Sequence, residues 1–147
     1  PDPEYNIAMD IPAAQAVFRS GVPLYLMPLD STQIKLDEFK RQTLFTQSTN
    51  LTDALSLLYE QWSRGHHLTE PTLYDDMAIA FTVDASLCPA TPMHIEVDGA
   101  GYTRVQPGAP NAQVCLNSNT DRFFDFYMPR LMQQRLSGSC PATLPKQ

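Results

Sequence analysis

Apolar positions along the chain change spacing from block to block, and each change predicts an element. Asp10 can cap a helix that begins around Pro12, because its carboxylate accepts first-turn amides and proline is tolerated there. Ala13, Ala14, Ala16, Val17 and Phe18 form the apolar face of this helix, and Ser20-Gly21 ends it. The almost unbroken apolar run 22–29 predicts a buried strand, followed by the polar turn Asp30-Ser31-Thr32 and completing half of a β-α-β unit. Helical spacing returns over 36–47 and 52–64, with Leu55, Leu58, Tyr59 and Trp62 on one face of the second segment. Gly65-His66-His67 closes that pair, and 69–72 is a loop.

A further helix starts at or just before Asp75 and carries Met77, Ile79, Ala80, Phe81 and Val83. Residues 94–98 alternate as a strand does, Gly99-Ala100-Gly101 turns the chain, and 102–105 pairs back. After a loop rich in Pro and Gly, 113–117 reads as a strand and 120–135 as a helix that Pro129 can kink. No repeat and no long linker interrupts these elements, so 1–136 reads as part of one α/β domain, with an irregular tail at 137–147.

Composition narrows the partners. The 147 residues carry a net charge of −6, which argues against a surface that neutralises nucleic-acid phosphates or anionic lipid. The longest apolar runs fall far short of the roughly 20 residues that span a bilayer. Neither nucleic acid nor membrane is the expected partner, and no signal peptide is recognisable. Cys88, Cys115 and Cys140 lack metal-site spacing. They are either idle thiols or one disulfide with a leftover cysteine, and Cys140, in a polar tail, is the expected participant. With the sequon Asn50-Leu51-Thr52, the cysteines lean towards a secreted or periplasmic protein.

Two short polar motifs carry candidate chemistry. In an extended segment Glu4 and Asn6 point the same way, so a carboxylate and an amide could converge on sugar hydroxyls. A solvated carboxylate and a turn asparagine are the plain alternative. Asp75 stands near a helix N-terminus, where a carboxylate is favoured. His66-His67 reads as a polar loop, His94 as structural or exposed, and Trp62 as core.

The order of these features is more specific than any one of them. Glu4-Tyr5-Asn6-Ile7, Asp10, Ala13-Ala14, Val17-Phe18, Ser20-Gly21-Val22-Pro23 and Pro28-Leu29-Asp30-Ser31-Thr32 together resemble the central run of the inosine–uridine nucleoside hydrolase family. Leu73-Tyr74-Asp75-Asp76-Met77-Ala78-Ile79-Ala80-Phe81 resembles its late aspartate motif. Glu96-Val97-Asp98 and Gly101-Tyr102-Thr103-Arg104 are similar to the hairpin that follows. The resemblance runs from residue 4 to about residue 131.

The resemblance implies the C-terminal half of an open mixed or parallel sheet flanked by helices, completed by a separate N-terminal chain. It also implies hydrolysis of the N-glycosidic bond of a ribonucleoside to ribose and free base, with Ca2+ as cofactor and a homo-oligomer of the two-chain unit as assembly. Glu4 matches the glutamate at the ribose 5′ side, Asn6 the asparagine on the ribose hydroxyls, and Asp75 the aspartate that binds calcium and ribose. Tyr74 stands where many members have a histidine thought to protonate the departing base, and a phenol is a weaker acid at neutral pH than an imidazolium. Asp76 replaces a common proline and reads as a solvated carboxylate.

Calcium takes about six to eight oxygen ligands, which Asp75 cannot supply alone. The family's D-x-D-x-x-x-D-D cluster, which also contains the presumed general base, has no counterpart here. A catalytically silent nucleoside-binding, sugar-binding or structural subunit is the competing expectation.

Overall fold

A computed structural model describes residues 3–134, which fall into two compact units. The first comprises 3–35 and 72–124 and the second 36–71 and 125–134.

The first unit opens with two short helices, α1 (Tyr5–Met9) and α2 (Ile11–Arg19). Asp10 caps α2 as expected, accepting Ala13 N at 3.0 Å, and Gly21 leaves the helix end with φ +76. The unit contains a three-stranded mixed sheet in the order β1 (Tyr25–Leu26), β5 (Ala112–Val114), β2 (Thr91–Met93). β1 runs parallel to β5 with Tyr25 opposite Gln113, and β2 is antiparallel with Pro92 opposite Gln113. A separate hairpin pairs β3 (Ile95–Val97) with β4 (Thr103–Val105).

Phe18, Ile95, Val97, Ala112 and Val114 form the core beneath these elements, with Ile7, Ile11, Leu24 and Leu26 packed against it. Asn111, just before β5, ties α2 to β3: its Oδ1 accepts Ile95 N, while its Nδ2 donates to Phe18 O and Ile95 O. Further along, α6 (Tyr74–Val83) leads to a 3-10 turn, Ala85–Leu87, and α7 (Thr120–Gln133) begins in this unit. Cys88 and Cys115 are fully buried and disulfide-bonded to each other.

Four expectations need correction. The strand predicted over 22–29 shrinks to Tyr25–Leu26, because Pro23 and Pro28 lack the N–H that a ladder needs. The expected turn after it is a single helical turn, α3 (Leu29–Thr32), in which the Ser31 and Thr32 hydroxyls donate to Pro28 O. β2 was not foreseen, since Pro92 demotes a short run that reads as loop. The disulfide joins Cys88 to Cys115 without Cys140, which lies outside the described residues.

In the second unit α4 (Glu38–Phe45) is capped by Asp37 and α5 (Asn50–His66) by a Thr49–Thr52 capping box. Hydrogen bonds to Lys40 hold the Asp37 carboxyl below its ordinary range. The buried Arg41 guanidinium donates to Leu36 O and lies 5.3 Å from the Tyr59 ring centre. Leu58, expected on the packed face of α5, is 60% exposed, and Thr52 is the one fully buried residue of this helix. Pro129 lies inside α7, where it removes one backbone donor.

Candidate functional site

A cleft of about 910 Å³ in the first unit brings the two polar motifs together. Glu4, Tyr5, Asn6, Tyr74 and Asp75 all line it, although seventy residues separate the two groups in sequence.

Helix capping sets the first group. Glu4 itself is extended, but Tyr5–Met9 is helical, so the wholly extended tripeptide expected from alternation is not formed. The Glu4 side chain is the N-cap of α1: Oε2 accepts Ile7 N and Oε1 accepts Asn6 Nδ2, each at 3.1 Å. A carboxylate has about four lone-pair directions, so two remain for another donor. The Asn6 amide keeps its carbonyl oxygen and one N–H. Convergence of the two side chains therefore arises from a cap and not from a strand.

Packing then fixes where α1 lies. Gly101 has φ +86, and a Cβ there would come within 3.3 Å of Ala8 Cα and 3.5 Å of the Ile11 side chain. Only glycine permits both the backbone conformation and the close approach. Asp98 holds the same turn by accepting Ala100 N and Tyr102 N at 2.9 Å and Arg104 Nε at 3.2 Å. The Tyr102 N–H first, then that of Ala100 and the Arg104 guanidinium, keep the Asp98 carboxyl below its ordinary 3.8.

The second group sits at the start of α6. Leu73 is the N-cap and makes no side-chain cap bond, so the first-turn amides of this helix gain no side-chain acceptor from the cap. Asp75 is exposed in that turn, and Tyr74 is 46% exposed. Asp76 is half-buried and lies outside the cleft lining.

Sequence reasoning did not single out Met27 and Asp30, which also line the cleft. They follow the C-terminal end of β1, and the carboxyl ends of parallel strands are where open α/β sheets bind ligands. That rule was the available signal, hidden by the expected longer strand.

The three histidines lie outside the cleft lining. His94 Nδ1 pairs with Ala109 O at 2.8 Å and its Nε2 lies 3.5 Å from Glu96. His66 stacks on Trp62, which is half-buried, and His67 adopts φ 54 as the C-cap of α5. Among the described residues no group of three or more His, Cys, Asp or Glu could hold a metal ion. Asp75 offers oxygen donors, but the cleft alone does not fit calcium, which needs several more. What the cleft can do unaided is present three carboxylates, an amide and two phenols to a small polyhydroxylated ligand.

Residues 1–125 match the sequence profile described as inosine-uridine preferring nucleoside hydrolase. A probable ribonucleoside hydrolase of Dictyostelium discoideum is 25% identical over 146 residues, which cover 85% of this chain and 43% of that protein. The purine-preferring ribonucleoside hydrolase from Gardnerella vaginalis is 26% identical with a TM-score of 0.75, over 89% of this chain and 46% of its own. An inosine-uridine preferring nucleoside hydrolase from Bacillus anthracis is 27% identical with a TM-score of 0.73, over 88% and 43%. A plant nucleoside hydrolase, PpNRh1, shares the fold at 22% identity and a TM-score of 0.76, over 91% and 49%. The chain thus spans under half the length of each of these relatives.

Proposed function

Because the chain belongs to the inosine-uridine preferring nucleoside hydrolase family, we propose that it contributes the sugar-binding side of a site that hydrolyses ribonucleosides to ribose and free base. The observation that carries this reading is the shared cleft: Glu4, Asn6 and Asp75 line one cavity. Breaking an N-glycosidic bond builds positive charge on the ribose ring. Fixed carboxylates near the sugar stabilise that charge, and an amide held by a neighbouring carboxylate reads a hydroxyl without reorganising.

In this reading Glu4 accepts from the 5′ side of the sugar, Asn6 bonds its hydroxyls, and Asp75 contacts the ribose and serves as one calcium ligand. Tyr74 lies against the departing base, where it hydrogen-bonds or stacks. The residues that activate water and supply the other calcium ligands come from outside this sequence, on polypeptide bearing the aspartate cluster. We derive no step through the metal. Copies of the completed unit associate as a homo-oligomer. The Cys88–Cys115 disulfide supports a secreted or periplasmic location, because such bonds persist in oxidising compartments.

A second reading, a catalytically silent binder of nucleosides or sugars, is favoured by Tyr74 in place of histidine and by the lack of a metal-binding group among the described residues. Measuring ribose release by the complete protein, with calcium and after chelation, separates the two. Calcium-dependent release supports the enzyme. Nucleoside binding without release supports the silent binder.

A further inference from the structure

The cleft is one-sided in charge. Glu4, Asp30 and Asp75 line it, and among the described residues no Lys, Arg, His or Cys does. Tyr5 and Tyr74 add two phenol rings to the same lining, 71% and 46% exposed. A ring face attracts a cation through its quadrupole, and a cleft lined by one sign of charge concentrates the opposite sign. Carboxylates and open ring faces with no basic side chain to compete are the groups that recognise a positively charged organic ring.

Local bonding fixes the third carboxylate in place. Ser31 and Thr32 are buried and their hydroxyls donate to Pro28 O, while Ser118 Oγ donates to Ser31 O at 2.6 Å. α3 packs on α6, the helix that carries Tyr74 and Asp75. Asp30 itself is exposed to the cleft. In the proposed function Glu4 and Asp75 are engaged with the sugar and Tyr74 with the base, so Asp30 is the carboxylate without a task.

The same lining is poorly matched to a neutral base. When the N-glycosidic bond breaks, its electron pair goes to the base nitrogen, and a neutral base departs as an anion unless an acid protonates it. Carboxyl groups ordinarily have no proton to give at neutral pH, and phenols ordinarily hold theirs. A base that is already positive needs no proton. The departing pair neutralises its ring nitrogen, water adds to C1′ and releases one proton, and the products are ribose, neutral base and that proton.

We propose that the preferred substrates of this cleft are ribosides of positively charged bases, such as a quaternised purine or a pyridinium, and that Asp30 is the specificity-determining residue facing the positive ring. This names a substrate class for the proposed hydrolysis and rests on it.

The test compares 7-methylguanosine with guanosine on the complete protein, at mildly acidic pH where the methylated ring keeps its positive charge. The two differ by one methyl group and that charge. General acid catalysis is worth about 10²–10⁴-fold, so kcat/KM should favour 7-methylguanosine by about 100-fold or more. Asp30→Asn should cut this preference by about tenfold or more, the scale of one contact between opposite charges near a protein surface. Asp30→Glu should restore most of it. The greater intrinsic lability of the methylated riboside is common to native and variant and cancels between them, and partial misfolding scales both rates alike. Equal efficiency on the two ribosides, or the same preference in native protein and Asp30→Asn, overturns this inference while ribose release from guanosine leaves the proposed function standing. Release from neither overturns both.

Discussion

Asn6 Nδ2 donates to Glu4 Oε1 at 3.1 Å, while the other oxygen of the same carboxylate caps α1 through Ile7 N. One side chain therefore starts a helix and orients an amide at the cleft. Asn6→Ala keeps the cap and removes only the amide. In the complete protein it should lower kcat/KM for ribonucleosides by about 10–100-fold, the cost of one or two lost hydrogen bonds in the transition state. Steady-state kinetics check this, and far-UV circular dichroism should show no loss of helix.

Gly101 holds the hairpin turn against Ala8. Gly101→Ala forces a Cβ into that contact at φ +86 and should destabilise the fold by about 1–3 kcal/mol. Urea unfolding measures the loss. Because Ala8 belongs to α1, KM should rise as well, whereas an equally destabilising change in the second unit should leave KM alone.

The Asp98 carboxyl is held below 3.8 by the Tyr102 and Ala100 amides and by Arg104. A carboxyl depressed by folding adds stability above its unfolded value and loses it as pH falls through its folded value. Native protein should therefore exceed Asp98→Asn in thermal midpoint at neutral pH. The gap should close as pH drops below about 3.8, with the native protein losing the difference. Parallel melts of the two proteins over that range read the effect directly.

The Cys88–Cys115 bond closes a sequence separation of 27. Chain-entropy arguments put the stabilisation from a loop of that length at about 3.5 kcal/mol. Paired Cys88→Ser and Cys115→Ser changes should cost roughly that much in urea unfolding. A reductant should then shift the native midpoint but not the variant's.

Local signals were legible wherever one residue had one physical job. Asp10 before Pro12 marked the start of α2, and Asp98 followed by two glycines marked the β3–β4 turn. The Glu4-Tyr5-Asn6 and Tyr74-Asp75 motifs were found, and the fold brings them to one cleft. The Glu4 cap was missed because Ser, Thr, Asp and Asn are the usual capping residues. The strand at 22–29 was overestimated because an apolar run signals side-chain burial and not pairing, while the ladder depends on neighbours and on N–H groups that Pro23 and Pro28 lack. Cysteine pairing depends on which chain segments meet, and spacing alone does not reveal that.

The central claim is that this cleft binds the sugar of a ribonucleoside undergoing hydrolysis, and ribose release by the complete protein and by Asp75→Asn tests it most directly. The account predicts release by the native protein and a fall of about 100-fold or more in the variant, the scale on which removing a fixed charge-stabilising group acts. No release from any ribonucleoside, or a variant as fast as the native protein, would contradict it.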